Sequence, residues 1–376
     1  MTVPTTAKAA ALVQTGAPLE LLDVRVPEEL EHGAILVRTA AATICGTDIH
    51  AWQDPDIAPL PRILGHEMVG RIARLGAGVT ADSVGEPLAE GDRIIWAHGF
   101  CGQCYECVVQ HDPATCTGGV RAYMRSAVHE YPYLTGGFAE YCYVFPQSGR
   151  VKVPDEVPDV LAAAAACALR SVVAAFDRLG PLDERHSVVI QGAGPLGLFS
   201  VAKALTGGAG KVIVIGAPTA RLEIARRWGA HETIDITEVP DAAQRAELVR
   251  GLTDGKGPDV VIEVSGARTA VPEGLDLVRR GGRYLVVGQL SPHTAEIRPM
   301  DFVVKHLRVI GSLSATIDHY YRALQFLVHY ADRFSWEDLI SNRYPLERIN
   351  EAMEGMRTFT EIKPAITFET TRSATA

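Results

Sequence analysis

Four cysteines fall close together, Cys101, Cys104, Cys107 and Cys116, in the pattern C-x2-C-x2-C-x8-C. Four thiolates complete the tetrahedral shell of a zinc ion and leave no position for a substrate, so such an ion braces a loop and does no chemistry. The CxxCxxC run has the outline of an iron–sulfur motif, but the CP dipeptide and second cysteine set of that class are missing. Two other segments carry residue types suited to a reactive metal. Cys45-Gly46-Thr47-Asp48-Ile49-His50 offers a thiolate, a hydroxyl, a carboxylate and an imidazole, and Gly65-His66-Glu67 places an imidazole beside a carboxylate. A catalytic zinc takes three protein ligands and keeps one position open. Cys45 and His66 can supply two. A lone cysteine is more often a small buried hydrophobe, and a His–Glu pair is more often structural, so these residues alone leave the site and its third ligand open.

A third element is Gly192-Ala193-Gly194-Pro195-Leu196-Gly197, which follows the apolar run Ser187–Ile190 and opens an Ala-rich stretch to Leu205. Between a strand and a helix, this spacing makes a tight turn, lets a pyrophosphate approach the backbone and packs the helix on the strand. The helix N-terminus then faces the phosphates. The next strand ends in Ile215-Gly216-Ala217-Pro218. Gly216 stands where an Asp or Glu holds the adenosine ribose in NAD-binding proteins. Its absence removes a repulsion against the 2′-phosphate of NADP, yet no Arg follows Gly216 directly and Arg221 is the nearest cation. The cofactor is NAD or NADP, with a slight tilt to NAD.

The elements that must position these groups are of two kinds. Through about residue 150, short β-branched runs such as Ile35–Val37, Gly70–Ile72 and Asp92–Ile95 alternate with Gly, Pro and Asp, the texture of a β-barrel or similar β-rich domain. Leu161–Leu179 reads as one long Ala-rich helix. Apolar strands at Ser187–Ile190, Lys211–Ile215, Asp259–Glu263 and Tyr284–Val287 then alternate with helices, which implies a parallel sheet covered on both faces. The tail has a strand at Leu307–Ile310 and a helix near Tyr320–Tyr330, which either extend that sheet or return to the first domain.

A chain of 376 residues suits two domains, and 47% hydrophobic residues can fill two cores. The net charge of −9 opposes nucleic-acid binding, which needs clustered cations. The N-terminus has no signal-peptide pattern, and no apolar run approaches the roughly 20 residues that span a bilayer. The expected location is the cytoplasm, without membrane association, where reduced thiols favour metal ligation over disulfides.

In combination, these motifs resemble the zinc-containing medium-chain dehydrogenases, the alcohol, sorbitol and threonine dehydrogenase group. The resemblance rests on CGTDIH at 45–50, GHEMVG at 65–70, GDRI at 91–94, the cysteine array, GGFAEY at 136–141, GAGPLG at 192–197 and GPDVVIEVSG at 257–266, in the family's order over nearly the whole chain. It implies an α/β protein: a GroES-like β-barrel catalytic domain with a structural zinc lobe at 1–164, a Rossmann-type doubly wound parallel sheet at 165–304, and a C-terminal return to the catalytic domain at 305–376. The active site would lie in the cleft between domains. The resemblance makes Cys45, His66 and Cys167 the catalytic zinc ligands and Cys101, Cys104, Cys107 and Cys116 those of a structural zinc. Glu67 would be an acidic neighbour able to enter coordination, and Asp48 would orient His66. Thr47 would hydrogen-bond the substrate oxygen, and His50 would end a proton relay. Cofactor contacts would come from Gly192, Gly194, Pro195, Leu196, Gly197, Gly216, Ala217, Arg221 and Val287. The implied reaction is reversible hydride transfer between NAD(P) and a small secondary alcohol or polyol, by a homo-oligomer, a dimer or tetramer.

The cysteine array departs from the family pattern by one residue, eight rather than seven before Cys116. The segment from Gly118 to Thr135, with Arg121, Arg125, His129, Tyr131 and Tyr133, reads as an insertion, a solvated loop before a substrate contact. Cys142 reads as a buried strand residue, and Trp52, Phe100 and Tyr133 are candidates for the substrate pocket. Two other functions compete: a zinc-free quinone or enone reductase on the same fold, which would lack these ligands, and a zinc-stapled binding protein, which would not need GAGPLG.

Overall fold

The computed structural model describes residues 3–54 and 58–368. The chain forms two compact units: Met1–Cys167 with Ala315–Tyr330 and Trp336–Ala376, and Ala168–Ser314 with Ala331–Ser335.

The first unit begins with strands β1 (Thr6–Leu12), β2 (Glu20–Arg25) and β3 (Ile35–Thr43), helix α1 (Gly46–Gln53), and strands β4 (Arg62–Ile63), β5 (Glu67–Leu75) and β6 (Arg93–Gly99). Helix α2 (Tyr105–Val108) lies in the cysteine-rich loop, followed by β7 (Tyr141–Val144), β8 (Ser148–Lys152) and α3 (Asp159–Ala164). Strand β3 is the hub, pairing antiparallel with β5 along its length and with β7 over its first residues. Because pairing and packing enclose it, β3 is almost wholly buried rather than alternating. Ile35, Leu36, Val37, Phe138, Tyr143 and Phe145 share the core around it.

The segment 118–135 differs from the expected solvated loop. Tyr123, Met124, Ala127 and Leu134 are buried, and the first, second and fourth belong to this core. Tyr131 Oη lies 3.2 Å from Tyr143 Oη, and Tyr143 donates to Glu31, which Arg121 also pairs with at 3.0 Å. The insertion is thus part of the wall, because its apolar side chains at four positions have a core to enter. Trp52 is also a core residue, donating its indole N–H to the Ala17 carbonyl. Tyr133 is engaged by Tyr131 and by the Arg25 guanidinium over its ring.

Helix α3 runs on through one π-helical turn, Ala165–Leu169, into α4 (Arg170–Leu179). By length and composition this continuous helix could cross a bilayer, contrary to the count of apolar runs above, but 83% of its apolar stretch is buried inside the protein, as in a core helix. The division between units falls within it, after Cys167 rather than after residue 164.

The second unit alternates β9 (Ser187–Gln191), α5 (Pro195–Thr206), β10 (Lys211–Gly216), α6 (Thr219–Arg227), β11 (Glu232–Asp235), α7 (Ala242–Leu252), β12 (Val260–Glu263), α8 (Ala270–Leu277), β13 (Arg283–Val286), α9 (Met300–Lys305) and β14 (Arg308–Gly311). The strands form one parallel sheet in the order β11-β10-β9-β12-β13-β14. The order reverses between β9 and β12, the place where such sheets bind ligands beyond the carboxyl ends of their strands. The strand at Leu307–Ile310 therefore extends this sheet, and the return to the first unit starts at Ala315, not at Lys305.

The returning segment contributes α10 (Ile317–His329), β15 (Arg343–Pro345), α11 (Ile349–Arg357) and β16 (Ala365–Thr367). Strand β16 pairs antiparallel with the end of β3, Ala365 opposite Thr43. This closes the seven-stranded sheet of the first unit beside the CGTDIH segment.

Gly65, which precedes His66, has φ +90, and a Cβ there would meet the Phe138 ring at 2.8 Å and its backbone N at 3.0 Å. Gly65→Ala should cost about 1–3 kcal/mol through the left-handed backbone and this contact. A lowered unfolding midpoint in denaturant checks it.

Candidate functional site

Strand β3 delivers Cys45 to the start of α1, and Asp48 in the first turn reaches back to accept the Cys45 backbone N–H at 2.8 Å. The same buried carboxylate accepts the Gly65 N–H at 3.1 Å and lies 3.2 Å from His66 Nδ1. With Nδ1–H committed to Asp48, the other ring nitrogen is the free donor pair, the arrangement usual for a metal-ligating histidine. His66 Nε2 indeed lies 3.4 Å from Cys167 Sγ. Cys167 sits in the π-helical turn of the long helix, a distortion common where a helix presents a functional side chain. Ligand atoms of Cys45, His66, Glu67 and Cys167 all fall within 4.8 Å of one another. Two thiolates, an imidazole and an adjacent carboxylate in a half-buried cluster fit zinc with a position to spare.

The electrostatics fit a site built for a cation. The Cys45 thiol is pushed up to about 11 by the hydrogen bond with Cys167 and by burial. Burial opposes charge on His66, but Asp48 outweighs it and raises the ring's affinity for a proton. Burial pushes Glu67 up to about 7 even though Lys363 pulls the other way. A metal bound here would compete with these protons, so its binding would release them.

Thr47 Oγ1 lies 3.8 Å from Cys45 Sγ. His50 is exposed at the far side of α1, with Nδ1 3.2 Å from Asp54 Oδ2. Lys363, which no motif marks, is buried against Glu67. Its only sequence signal is its place two residues ahead of β16.

In the second cluster the sulfurs of Cys101, Cys104, Cys107 and Cys116 also converge within 4.8 Å. Cys101 and Cys107 are 4.0 Å apart, Cys104 and Cys116 3.8 Å. The eight-residue spacer before Cys116 contains the short turn Pro113–Thr115, and the four sulfurs converge despite its length. A Cβ at Gly118 would meet Cys101 Sγ at 2.4 Å, so the loop closes on the cluster only with glycine there. This donor set fits a closed zinc site. Cys142 is buried in β7, away from both clusters' ligand sets.

In the second unit, Gly192–Gly197 turn from β9 into α5, with Pro195 in its first turn. A Cβ at Gly197 would lie 1.9 Å from the Gly192 carbonyl, and one at Gly192, with φ +123, 3.0 Å from Ser265. Gly194 has open space beside it, which fits approach of a pyrophosphate. Leu196 lies in the same first turn. A Cβ at Gly216 would stand 2.9 Å from both Cβ and N of Ala193, which accounts for a missing carboxylate there. Asp235, paired with Gly216 across β10 and β11, is instead occupied by Thr219 at 2.6 Å and by Thr237. Ala217 follows in the loop before α6, Arg221 is buried in α6, and the Val287 N–H donates to the Glu263 carbonyl at 2.9 Å. The Glu263 carboxylate, at the end of the strand in the GPDVVIEVSG motif, gathers the N–H groups of Ser265, Gly266 and Gly288, tying together the loops after β12 and β13.

These features define a two-unit protein with a dinucleotide-type sheet and two clusters of residues able to hold a metal ion, and comparison with known proteins agrees on the class. Residues 31–155 match the family model of the alcohol dehydrogenase GroES-like domain, and residues 195–329 that of zinc-binding dehydrogenases. The chain is 34% identical to the 5-exo-hydroxycamphor dehydrogenase of Pseudomonas putida, over 96% of this chain and 98% of that one. Its fold matches an alcohol dehydrogenase of Thermotoga maritima with a TM-score of 0.90 at 32% identity, over 97% and 100% of the two chains. It also matches a zinc-binding dehydrogenase of Sinorhizobium meliloti bound to NADP, with a TM-score of 0.83 at 28% identity, over 97% and 100%. The chain belongs to the zinc-containing medium-chain dehydrogenase family and is an oxidoreductase.

Asp48→Asn should weaken metal binding at the Cys45–His66–Cys167 cluster by about 10–100-fold, the usual effect of losing the partner that aims a ligand. Chelator competition should show that loss while the four-cysteine site keeps its ion.

Proposed function

We propose that this protein reversibly oxidises a secondary alcohol or polyol to the carbonyl, using zinc held by Cys45, His66 and Cys167 and a nicotinamide dinucleotide held by the Gly192–Gly197 turn. The convergence of these three ligands beside Glu67 is the observation that carries the reading. When bound, the zinc supplies a Lewis acid for the alcohol oxygen, and the nicotinamide ring accepts the hydride. Asp48 keeps the His66 ring in its ligating orientation. Thr47, two residues after Cys45, would accept the substrate hydroxyl's proton while passing its own outward, and His50, exposed to solvent, would deliver a proton to water. Asp54, beside His50 Nδ1, leaves Nε2 for that transfer. The four-cysteine site braces its loop and has no part in the chemistry.

Metal analysis and the appearance of reduced-nicotinamide absorbance with a panel of cyclic secondary alcohols, diols and polyols test this. Two zinc ions per chain and alcohol-dependent reduction are expected. One zinc and no cofactor-dependent signal would sink the reading. NAD is the favoured cofactor, because Arg221, the nearest cation after Gly216 in the sequence, is buried in α6 and offers little surface to a 2′-phosphate. The panel run with both cofactors should show the higher kcat/KM with NAD.

The same proposal includes a homo-oligomer. Strand β14 is a sheet edge, and Met300, Val303 and Leu313 beside it are 65%, 73% and 62% exposed. An unpaired edge flanked by exposed apolar side chains suits a second copy related by a two-fold axis. Light scattering should report a dimer or a multiple of it, and Val303→Asp should shift the population towards monomer.

A further inference from the structure

The zinc cluster contains a charged pair that its three ligands do not require. Lys363 and Glu67 are buried and form an ion pair, and Glu67 Oε2 also accepts the Thr43 hydroxyl at 2.5 Å. The other carboxylate oxygen, Oε1, is equally buried and has no hydrogen-bond partner among the described residues. Buried oxygens are rarely left so unless something else takes them. The sheet register explains the arrangement. Thr43 stands opposite Glu67 across β3 and β5 and opposite Ala365 across β3 and β16, so Lys363 enters two residues earlier, level with Cys45.

Resting on the zinc chemistry above, in which Glu67 is the acidic neighbour able to enter coordination, we propose that Lys363 is a positioning residue: with Thr43 it grips Glu67 by Oε2 and so aims Oε1 at the catalytic metal. The charges support this role. Two thiolates cancel the charge of a zinc ion, the carboxylate adds one negative charge, and the Lys363 ammonium cancels it. Glu67 can therefore approach or leave the metal without leaving the enclosed site charged. Without Lys363, the carboxylate is an uncompensated charge beside two thiolates and its free oxygen loses its aim.

Two readouts report the coordination without turnover: metal affinity at this site by chelator competition, and the visible ligand-field spectrum of the cobalt(II)-substituted protein. Lys363→Met should weaken metal binding by about 10–100-fold and alter the cobalt spectrum. Lys363→Arg, which keeps charge and donors, should restore both. Thr43→Val removes the second anchor while sparing the ion pair and should move both readouts the same way. Because Lys363 acts through Glu67, adding Lys363→Met to Glu67→Gln should change affinity by less than about 2-fold. An unaltered cobalt spectrum, or equal effects of Lys363→Met with and without Glu67→Gln, overturns the proposal. Should Lys363→Met alone not fold, Thr43→Val and the double variant, which removes both buried charges, decide by the same criteria. A wild-type protein that binds metal only at the four cysteines refutes the zinc-enzyme reading itself, a different result from an occupied site indifferent to Lys363.

Discussion

One buried carboxylate, that of Asp48, ties the reactive end of this protein together. It accepts the N–H of Cys45, the N–H of Gly65 and sits against the His66 ring. The segments that carry Cys45 and His66 are thereby fixed to each other by the fold itself. A buried carboxylate is costly unless its oxygens are satisfied, and here each donor that satisfies it is also a part that must be positioned. The first turn of α1, the left-handed turn at Gly65 and the rotation of the His66 ring follow from the same group.

The two cysteine-containing clusters use similar atoms for different ends. The array at 101–116 has four converging cysteine sulfurs and a glycine that lets the loop shut over them, so an ion bound there would only hold chain to chain. The cluster at Cys45, His66 and Cys167 draws its ligands from a helix start, a strand start and a π-helical turn, and its fourth neighbour is a carboxylate with one uncommitted oxygen. That neighbour is held by a lysine from the far end of the chain. A site whose shell is incomplete, and whose surplus charge is balanced nearby, is suited to exchanging a ligand. One whose shell is complete is not.

The second unit shows how packing limits cofactor recognition. The strand end that would carry a ribose-binding acid is a glycine pressed against Ala193, and the neighbouring acid, Asp235, is consumed by two threonines. Steric closeness inside the glycine turn, rather than a charge pattern, explains why the familiar fingerprint stops at Gly216.

The division of labour between sequence and tertiary structure is clear from particular residues. Local spacing alone marked the cysteine array, the glycine turn and the alternating strands, because ligand geometry, turn geometry and buried parallel strands each impose short-range patterns. Cys45 and His66 were legible only as types, and Cys167 only through the family resemblance, since an Ala-rich helix conceals which of its residues faces a metal. Lys363 and Thr43 carried no local signal, and Glu263 only its place in the GPDVVIEVSG motif. The burial of the 118–135 segment had no local signal either, and the strand at Leu307–Ile310 was legible while its choice between the two domains was not. These depend on which strand lies beside which, a long-range register decided by the summed packing of two cores. The sequence by itself determined the chemistry available; the pairing of β16 with β3, over three hundred residues apart, decided which charge stands beside it.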